Sequence, residues 1–573
     1  MEITRPLHQY KLEFKDKFRE VAEKTFDELA QDSHVDVEAN NSLCEEIDNL
    51  QINAGDVKRR LTWTTVACVA LWMLAVGSVL YSIFGEPDSA LLISLLVVAA
   101  VCVIVLFAKI HPRIKALKEE RDDLQAQIDQ KVSEAWKQME PLNRLFDWDM
   151  FYRMFSQTIP EISFDDYVPE ARLRQLWALG MNCDFGDDTS VLYAHSGTIN
   201  GNPFAIYRTR TMVWGTMTYS GSKTIHWTTR ERGADGKYET RHHSQTLTAT
   251  VTAPYPEYPE ITKLVYGHAA APDLTFHREK NMFDYKQGGL LYGIKKKHLE
   301  RRSRKLSSDY AMDVNDEFEV TFTASDRNDN QQFFLLFTPL AQQSMVELIQ
   351  DKEDSYGDDF EFEKTGKINT VTSDHVQSIA LDLNPDYFRQ YDFNRSRENF
   401  IRLNCDFFRA VYFNLAPILS IPLYQDAPQG YMTQTVKAVD SASSPWEHES
   451  LANFWGESNF CNPACERPNI LKTQLLRGAD GPGIVNVTAY SYASHERLTY
   501  VKKYGGDGRW HNVPVYWRDY YPVTGNGTFQ MEEQDENPTD VTPSERYDAT
   551  SRLLGRMGHR GILRRMIWSS LNR

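Results

Sequence analysis

The chain is 573 residues long, enough for two or three globular units rather than one. At 42% apolar and 25% charged residues, with a mean hydropathy of -0.49, it is neither disordered throughout nor a carrier with most of its mass in lipid. A formal charge of -16 argues against a general nucleic-acid binder, and seven cysteines are too few for a disulfide scaffold.

Residues 1–60 are charged and helical in pattern, with an amphipathic run from Tyr10 to Leu29 that predicts a helix carrying no chemistry. Leu61 to Gly85 then runs for 25 positions without a charge and Ser89 to Ala108 for another 20, separated by Glu86, Pro87 and Asp88. At about 1.5 Å per residue they reach roughly 37 and 30 Å, against a hydrocarbon core of about 30 Å. Buried helices of a soluble core are the bland alternative, but apolar runs of about 10–14 residues are the ones that suit them. A transmembrane hairpin over 61–108 is therefore expected. Lys58, Arg59 and Arg60 precede it, Lys109, Arg113, Lys115 and Lys118 follow it, and the turn carries no basic residue. By the positive-inside rule this is a two-pass cell-membrane protein with both termini cytoplasmic. No apolar stretch precedes Leu61, so no cleavable signal peptide is expected. In the reducing cytoplasm Cys183, Cys405, Cys461 and Cys465 read as packing residues or metal ligands before disulfides.

Leu43, Ile47, Leu50, Ala54 and Val57 are spaced 4, 3, 4, 3, the rhythm of a coiled-coil seam. Over 109–139 Pro112 can open a helix, and Ile114, Leu117, Leu124, Ile128 and Ala135 keep that rhythm while Arg121 and Lys131 interrupt it. Because the spans form a hairpin, the two seams would meet as an antiparallel stalk, which could also carry a homo-oligomer; the alternative is that each segment simply caps the soluble body.

From about Met139 the period changes to alternation with Gly, Asn and Asp punctuation, which reads as sheet. The fold class is α+β: N-terminal helices, a two-helix membrane hairpin with a helical stalk, then a β-rich body of antiparallel meanders with a few helices. In the first part of the body, 140–400, Asn200-Gly201 joins Val191 to Ala194 with Phe204 to Thr211, and Asp235-Gly236 joins Thr224 to Arg230 with Tyr238 to Thr250. Phe318 to Phe322 and Phe333 to Phe337 read as a strand pair, followed by a helix from Leu340 to Ile349 with Thr338 as N-cap and Pro339 as its first residue. In the second part, 401–525, Arg395 to Phe413 reads as the entering helix, with Phe400, Ile401, Cys405, Phe408 and Val411 buried and Pro417 beyond its end. A meander from Ile470 to Val523 follows. Gly233-Ala-Asp-Gly-Lys-Tyr238 recurs there as Gly505-Gly-Asp-Gly-Arg-Trp510, either an internal duplication or a turn solution reached twice.

Two close spans, the Gly201 to Arg230 segment, the Phe318-x-Val-x-Phe322 run and the Phe333 to Ile349 unit together resemble an uncharacterised family of two-span bacterial membrane proteins, over about residues 55 to 400. The resemblance implies a cell-membrane location and transfers no active-site residue.

Cys461-Asn-Pro-Ala-Cys465, with His448 and His495 farther off, is the one close cysteine pair and a weak zinc candidate; loop packing is the simpler account. His242 and His243 would point to opposite faces of a strand and cannot chelate one ion together. Asp507, His511 and His495 fall around one hairpin, although Asp507 is already explained as a turn residue. No phosphate-binding loop, dinucleotide fingerprint or common hydrolase motif occurs, so no cofactor is expected. Lys295, Lys296, Lys297, His298, Arg301, Arg302, Arg304 and Lys305 form the densest basic run of the body, a solvated helix face or a patch for anionic headgroups. It lacks interleaved aromatics, which disfavours RNA.

The terminal part, 526–573, starts as an acidic linker over Met531 to Asp548. Ala549 to Arg573 then carries six Arg and no acid. Its Arg556, Arg560, Arg564, Arg565 and Trp568 suit the interface of an acidic bilayer or a partner, with docking on the chain's own body and disorder as alternatives. The expected function is membrane-anchored binding or scaffolding toward an unknown protein partner, with a membrane-bound enzyme sited in the β-rich body as the alternative.

Overall fold

The computed structural model describes residues 3–84, 89–232, 238–281, 283, 285, 288–304, 310–312, 314–428, 442–476, 483–533, 561–564 and 567–571. The chain forms two units, one from Glu23–Asp147 and Asn384–Leu403, the other from Met1–Ala22, Trp148–Leu383 and Asn404–Arg573.

The first unit is helical. Val37–Phe84 is a single helix of 48 residues, and Ser89–Val105 continues through a π turn at Leu106–Ile110 into His111–Leu145. Both are long and apolar enough to cross a membrane. Their apolar side chains face outward, with Trp63 71% and Phe84 79% exposed, which suits a lipid surround and not water. The expected seam is present: Leu43, Ile47, Val57, Leu117, Ile128 and Ala135 are buried, and Leu50, Ala54, Ile114 and Leu124 half-buried. Lys131, which interrupts the seam, pairs with Glu46 across it. At the far end from the spans Asn40 replaces the apolar seam, donating to the Tyr391 carbonyl at 3.0 Å and accepting from the Phe393 amide at 3.0 Å. Phe26, Phe146, Phe388 and Phe400 pack beside it.

The second unit is built on two antiparallel sheets and a separate two-stranded ribbon. Strands β1 (Ile162–Phe164), β2 (Thr189–Ile199), β3 (Asn202–Thr211), β6 (Glu260–Gly267), β7 (Thr275–Arg278), β8 (Phe360–Thr365) and β9 (Ile368–Ser373) form a sheet in the order β1-β2-β3-β6-β9-β8-β7. The β2–β3 turn is the expected one: Asn200 and Gly201 have φ of 48° and 87°, as a two-residue hairpin of this hand requires. Strands β10 (Ile470–Leu476), β11 (Gly483–Tyr504), β12 (Trp510–Glu533), β13 (Gly561–Arg564) and β14 (Ile567–Leu571) form the second, ordered β10-β11-β12-β14-β13. The helix Pro445–Trp455, capped by Ser444, joins the two cores. Its Trp446 packs with Val191, Ala194 and Tyr207, its Leu451 with Leu471, Val485 and Phe529. Glu449 on the same helix accepts from the Val191 amide at 2.8 Å and pairs with Lys472 at 2.6 Å. Near the start of the chain, Tyr10 and Phe18 pack on Phe408, Tyr412 and Phe413.

Three expectations are corrected. Phe318–Phe322 and Phe333–Phe337 are not strands: Asp316–Phe322 and Asn330–Leu336 are helices, opened by Asn315 accepting from the Phe318 amide and Asp329 from the Gln331 and Gln332 amides. The first is buried on every side, from Phe318 to Phe322, so its apolar pattern held no period to read. Phe318 and Phe322 stack 5.1 Å apart at i, i+4 spacing. The helix Phe393–Leu419 runs past Phe413 and contains Pro417, close enough to its end that one lost backbone bond is tolerated. Finally, β12 continues ten residues beyond Val523 into the expected linker, where β14 pairs with it from Phe529↔Leu571 to Glu533↔Ile567. The helix Pro339–Gln350, with Thr338 accepting from the Ala341 amide, is as expected.

Candidate functional site

Strands β4 (Val213–Arg232) and β5 (Tyr238–Glu257) pair along their whole length, from Val213↔Glu257 to Arg232↔Tyr238. At about 3.3 Å per residue this ribbon is roughly 65 Å long. β11 and β12 pair from Gly483↔Met531 to Tyr504↔Trp510, whereas β10 accompanies β11 only as far as Tyr490. The distal half of this hairpin is therefore a second two-stranded arm. A two-stranded ribbon alone is marginal in water, and these two stabilise each other by stacking. Ile225, Leu247 and Ala249 of one bury against Val513 and Val515 of the other, with Tyr219, Trp227, Val251 and Val501 around them. Gly221 lets the backbones approach: a β-carbon there would sit 1.9 Å from the Pro514 carbonyl oxygen. At the distal turn the Gly506 amide donates to Gln245 Oε1 at 2.7 Å.

Stacking consumes one face of each arm and leaves the other open. Along β11–β12 the open face carries the cross-strand rows Leu498↔Tyr516, Tyr500↔Pro514, Lys502↔Asn512 and Tyr504↔Trp510. Tyr500 is 61% and Trp510 68% exposed, and Leu498, Tyr504 and Tyr516 are exposed as well. Between Arg497 and Arg518 lie Lys502, Lys503 and Arg509 and one acid; that acid, Asp507, is engaged by His511 at 2.9 Å, while the two flanking arginines pair with Asp519 and Glu466. The open face of β4–β5 is different in kind. It is a ladder of hydroxyls, Thr218↔Thr252, Ser220↔Thr250, Ser222↔Thr248 and Thr224↔Thr246, with contacts of 3.4 Å and 3.1 Å in the first and last rows. An exposed row of rings backed by a rigid layer can bind a complementary surface with little loss of side-chain freedom.

Of the residues singled out in the sequence, His242 and His243 lie on one arm and His495, Asp507 and His511 on the other, whereas the cysteines and His448 lie away from both. Cys461 Sγ lies 3.8 Å from the Ser458 carbonyl and Cys465 Sγ 3.9 Å from Asn469 Nδ2; His448 is buried against Ser443 at 2.9 Å. Among the described residues no group of three metal-binding side chains gathers. His243 stacks on Trp227, 5.3 Å between ring centres, and contacts Thr229, whereas His242 lies on the exposed face. Asp507 and His511 do meet, and the imidazole holds the carboxyl below its ordinary range. His495 does not join them: it stacks on Tyr521 at 4.4 Å, eight residues along β11 from Lys503, the residue opposite His511.

The basic run is not a uniform cationic patch. Lys295 turns inward onto Asn281 and the Tyr285 ring, and burial pushes its amine down to about 8. Lys296 pairs with Asp316, and Lys297 is exposed; Lys305 lies outside the described residues, as do Arg556, Arg560 and Arg565. Arg564 and Trp568 are not on a surface: they are 2% and 0% exposed. Arg564 pairs with Asp382, which also meets His195 Nε2 at 2.8 Å, and its guanidinium lies 4.6 Å from the Phe454 ring centre. The amphipathic pattern that suits a bilayer equally suits a buried strand carrying one paired cation, and the distant Asp382 decides between them.

Sequence reasoning missed both the aromatic face and the buried polar groups. The signal for the face was available: Leu498 to Tyr504 carries apolar residues on both sides of a strand, which calls for two covering layers, and one is present. Lys364, fully buried, donates to the Gly366 and Ala270 carbonyls at 2.6 Å and 3.2 Å, and burial pushes its amine down to about 7. Nearby, His268 accepts from the Ala270 amide at 3.0 Å, and burial lowers its imidazole to about 4. Both groups are spent on holding the Ala270 loop. Comparison with family models, curated proteins and solved structures found no match to this chain.

Proposed function

We propose that this chain is a membrane-anchored binding protein that presents the aromatic face of the β11–β12 arm to a protein partner, both termini lying in the cytoplasm. Two helices long and apolar enough to span a bilayer supply the anchor, and their basic flanks supply the orientation. The carrying observation is the exposure of Tyr500, Tyr504, Trp510 and Tyr516 on one side of a ribbon whose other side is buried. Tyr and Trp are among the residues that binding hot spots favour, so the partner offers an apolar surface, with an acid to meet the exposed Lys502. A photoreactive phenylalanine analogue placed at Tyr500 or Tyr516 of the full chain in native membranes is expected to give one discrete protein adduct, and at Ser222, on the hydroxyl face, none. Equal labelling from all three positions, or from none, refutes the reading.

A further inference from the structure

Of the two residues that interrupt the seam between Val37–Phe84 and His111–Leu145, Lys131 finds Glu46 across it, whereas Arg121 opens a gap. In the second helix the apolar rhythm of Leu117, Leu124 and Ile128 puts Arg121 at a seam position, and the first helix answers with Ala54 and Gly55, the smallest residues available. A long charged side chain opposite two small ones cannot interlock as apolar knobs do. The helices there leave an open groove of about 780 Å³, lined among others by Ala54, Lys58, Leu61, Val66, Arg121 and Ile128, with Lys58, Val66 and Arg121 exposed.

Its position matters as much as its volume. Lys58 lies three positions before the first apolar stretch and Leu61 and Val66 lie inside it, so the groove straddles the change from charged stalk to apolar span. Side chains on a helix lean toward its N-terminus. In the helix leaving the span, Arg121 therefore leans toward the bilayer, which brings its guanidinium toward the depth of lipid phosphates. Arg121 meets Asp122 on its own helix, leaving other guanidinium donors for a ligand. Lys58 is exposed and makes no ion pair among the described residues. On the side of Lys58 and Arg121 that faces the span, the lining thus continues into it through Leu61 and Val66.

We infer that this groove is a binding site for an anionic phospholipid, Lys58 and Arg121 holding its phosphate and Leu61 and Val66 lining the start of an acyl chain. A free phosphate ion would use only Lys58 and Arg121, whereas a groove that passes from these cations to Leu61 and Val66 matches a two-part ligand. Basic pockets between helices at the cytoplasmic side are where such headgroups are held.

The test uses the full chain in nanodiscs of phosphatidylcholine with increasing phosphatidylglycerol, read as lipid retained per chain by native mass spectrometry and as the thermal midpoint. One phosphatidylglycerol per chain is expected to be retained, with a rise in midpoint. Lys58→Gln should weaken retention roughly fivefold, and Lys58→Gln with Arg121→Leu about 25-fold. Arg121→Leu alone separates the site from folding: it completes the seam, so it should raise the midpoint in pure phosphatidylcholine yet lose the increment from phosphatidylglycerol. Equal retention of phosphatidylcholine and phosphatidylglycerol, or an unchanged increment in the variants, overturns the inference. So does inorganic phosphate that reproduces the midpoint shift, because the ligand is then a free anion.

Discussion

Replacing Gly221 by alanine acts on the surface that carries the proposed function without touching its exposed face. The new β-carbon would lie 1.9 Å from the Pro514 carbonyl oxygen, 2.9 Å from its carbon and 3.0 Å from Val515 Cα, all backbone atoms with no rotamer to relieve them. Restoring a carbon–oxygen contact of about 3.3 Å moves the arms roughly 1.4 Å apart. Ile225, Leu247, Val513 and Val515 are buried between them, and at about 1.5–3 kcal/mol each they contribute roughly 6–12 kcal/mol. A gap of this size forfeits at least a third of that attraction, about 2–4 kcal/mol. Because each ribbon alone is marginal, the loss is expected as local opening, with amides from Thr224 to Arg230 and from Val513 to Trp517 exchanging hydrogen roughly 30- to 900-fold faster in the full chain. Ser222→Ala, one residue on and facing outward, should change nothing. Unaltered protection in Gly221→Ala would refute the stacked arrangement.

The Lys364 amine lies near 7 in the folded chain against an ordinary 10.5, so the unfolded chain binds the proton more tightly and stability should rise with pH between about 7 and 10.5. From pH 7 to 9 the gain is about 2–3 kcal/mol; denaturant titrations should show it in the natural chain and not in Lys364→Met, and parallel curves would count against a buried amine. Arg327 and Glu319 form an ion pair at 2.7 Å, 0% and 1% exposed, with Tyr310 donating to the same carboxylate. Glu319→Gln should cost about 3–5 kcal/mol, and the double change with Arg327→Met should recover much of it; a double variant no more stable than the single one refutes the pairing. Asp382→Asn leaves the buried Arg564 without its carboxylate and should free β13 and β14 from β12, making the terminus a target for limited proteolysis. Unchanged cleavage would mean that the terminus is held by something other than this pair.

What the sequence made legible was local. Asn200-Gly201, the Thr338-Pro339 cap, the two charge-free stretches and the 4, 3 seam rhythm each express their structure within a few residues, and each appears where expected. The helices Asp316–Phe322 and Asn330–Leu336 were locally signalled too, by Asn315 and Asp329, but aromatic spacing that fits both periods masked the caps. The arm surface and the burial of Arg564 were beyond local reading. Which side of Leu498 to Tyr504 stays open depends on a ribbon more than 200 residues earlier, and whether Arg564 meets lipid or protein depends on Asp382.

The dependence on distant residues has a consequence in time. Phe18 stacks on Phe408 at 4.1 Å, and at about 5–20 residues per second a ribosome needs roughly 20–80 s to make the chain between them. Phe151 reaches Phe18, and Phe146 reaches Phe26, sooner, but throughout that interval the greasy side of the leading helix lacks the cover that Phe408 and Tyr412 give Phe14 and Phe18. Nascent chains stalled before Phe408 should therefore hold a chaperone that full-length chains release.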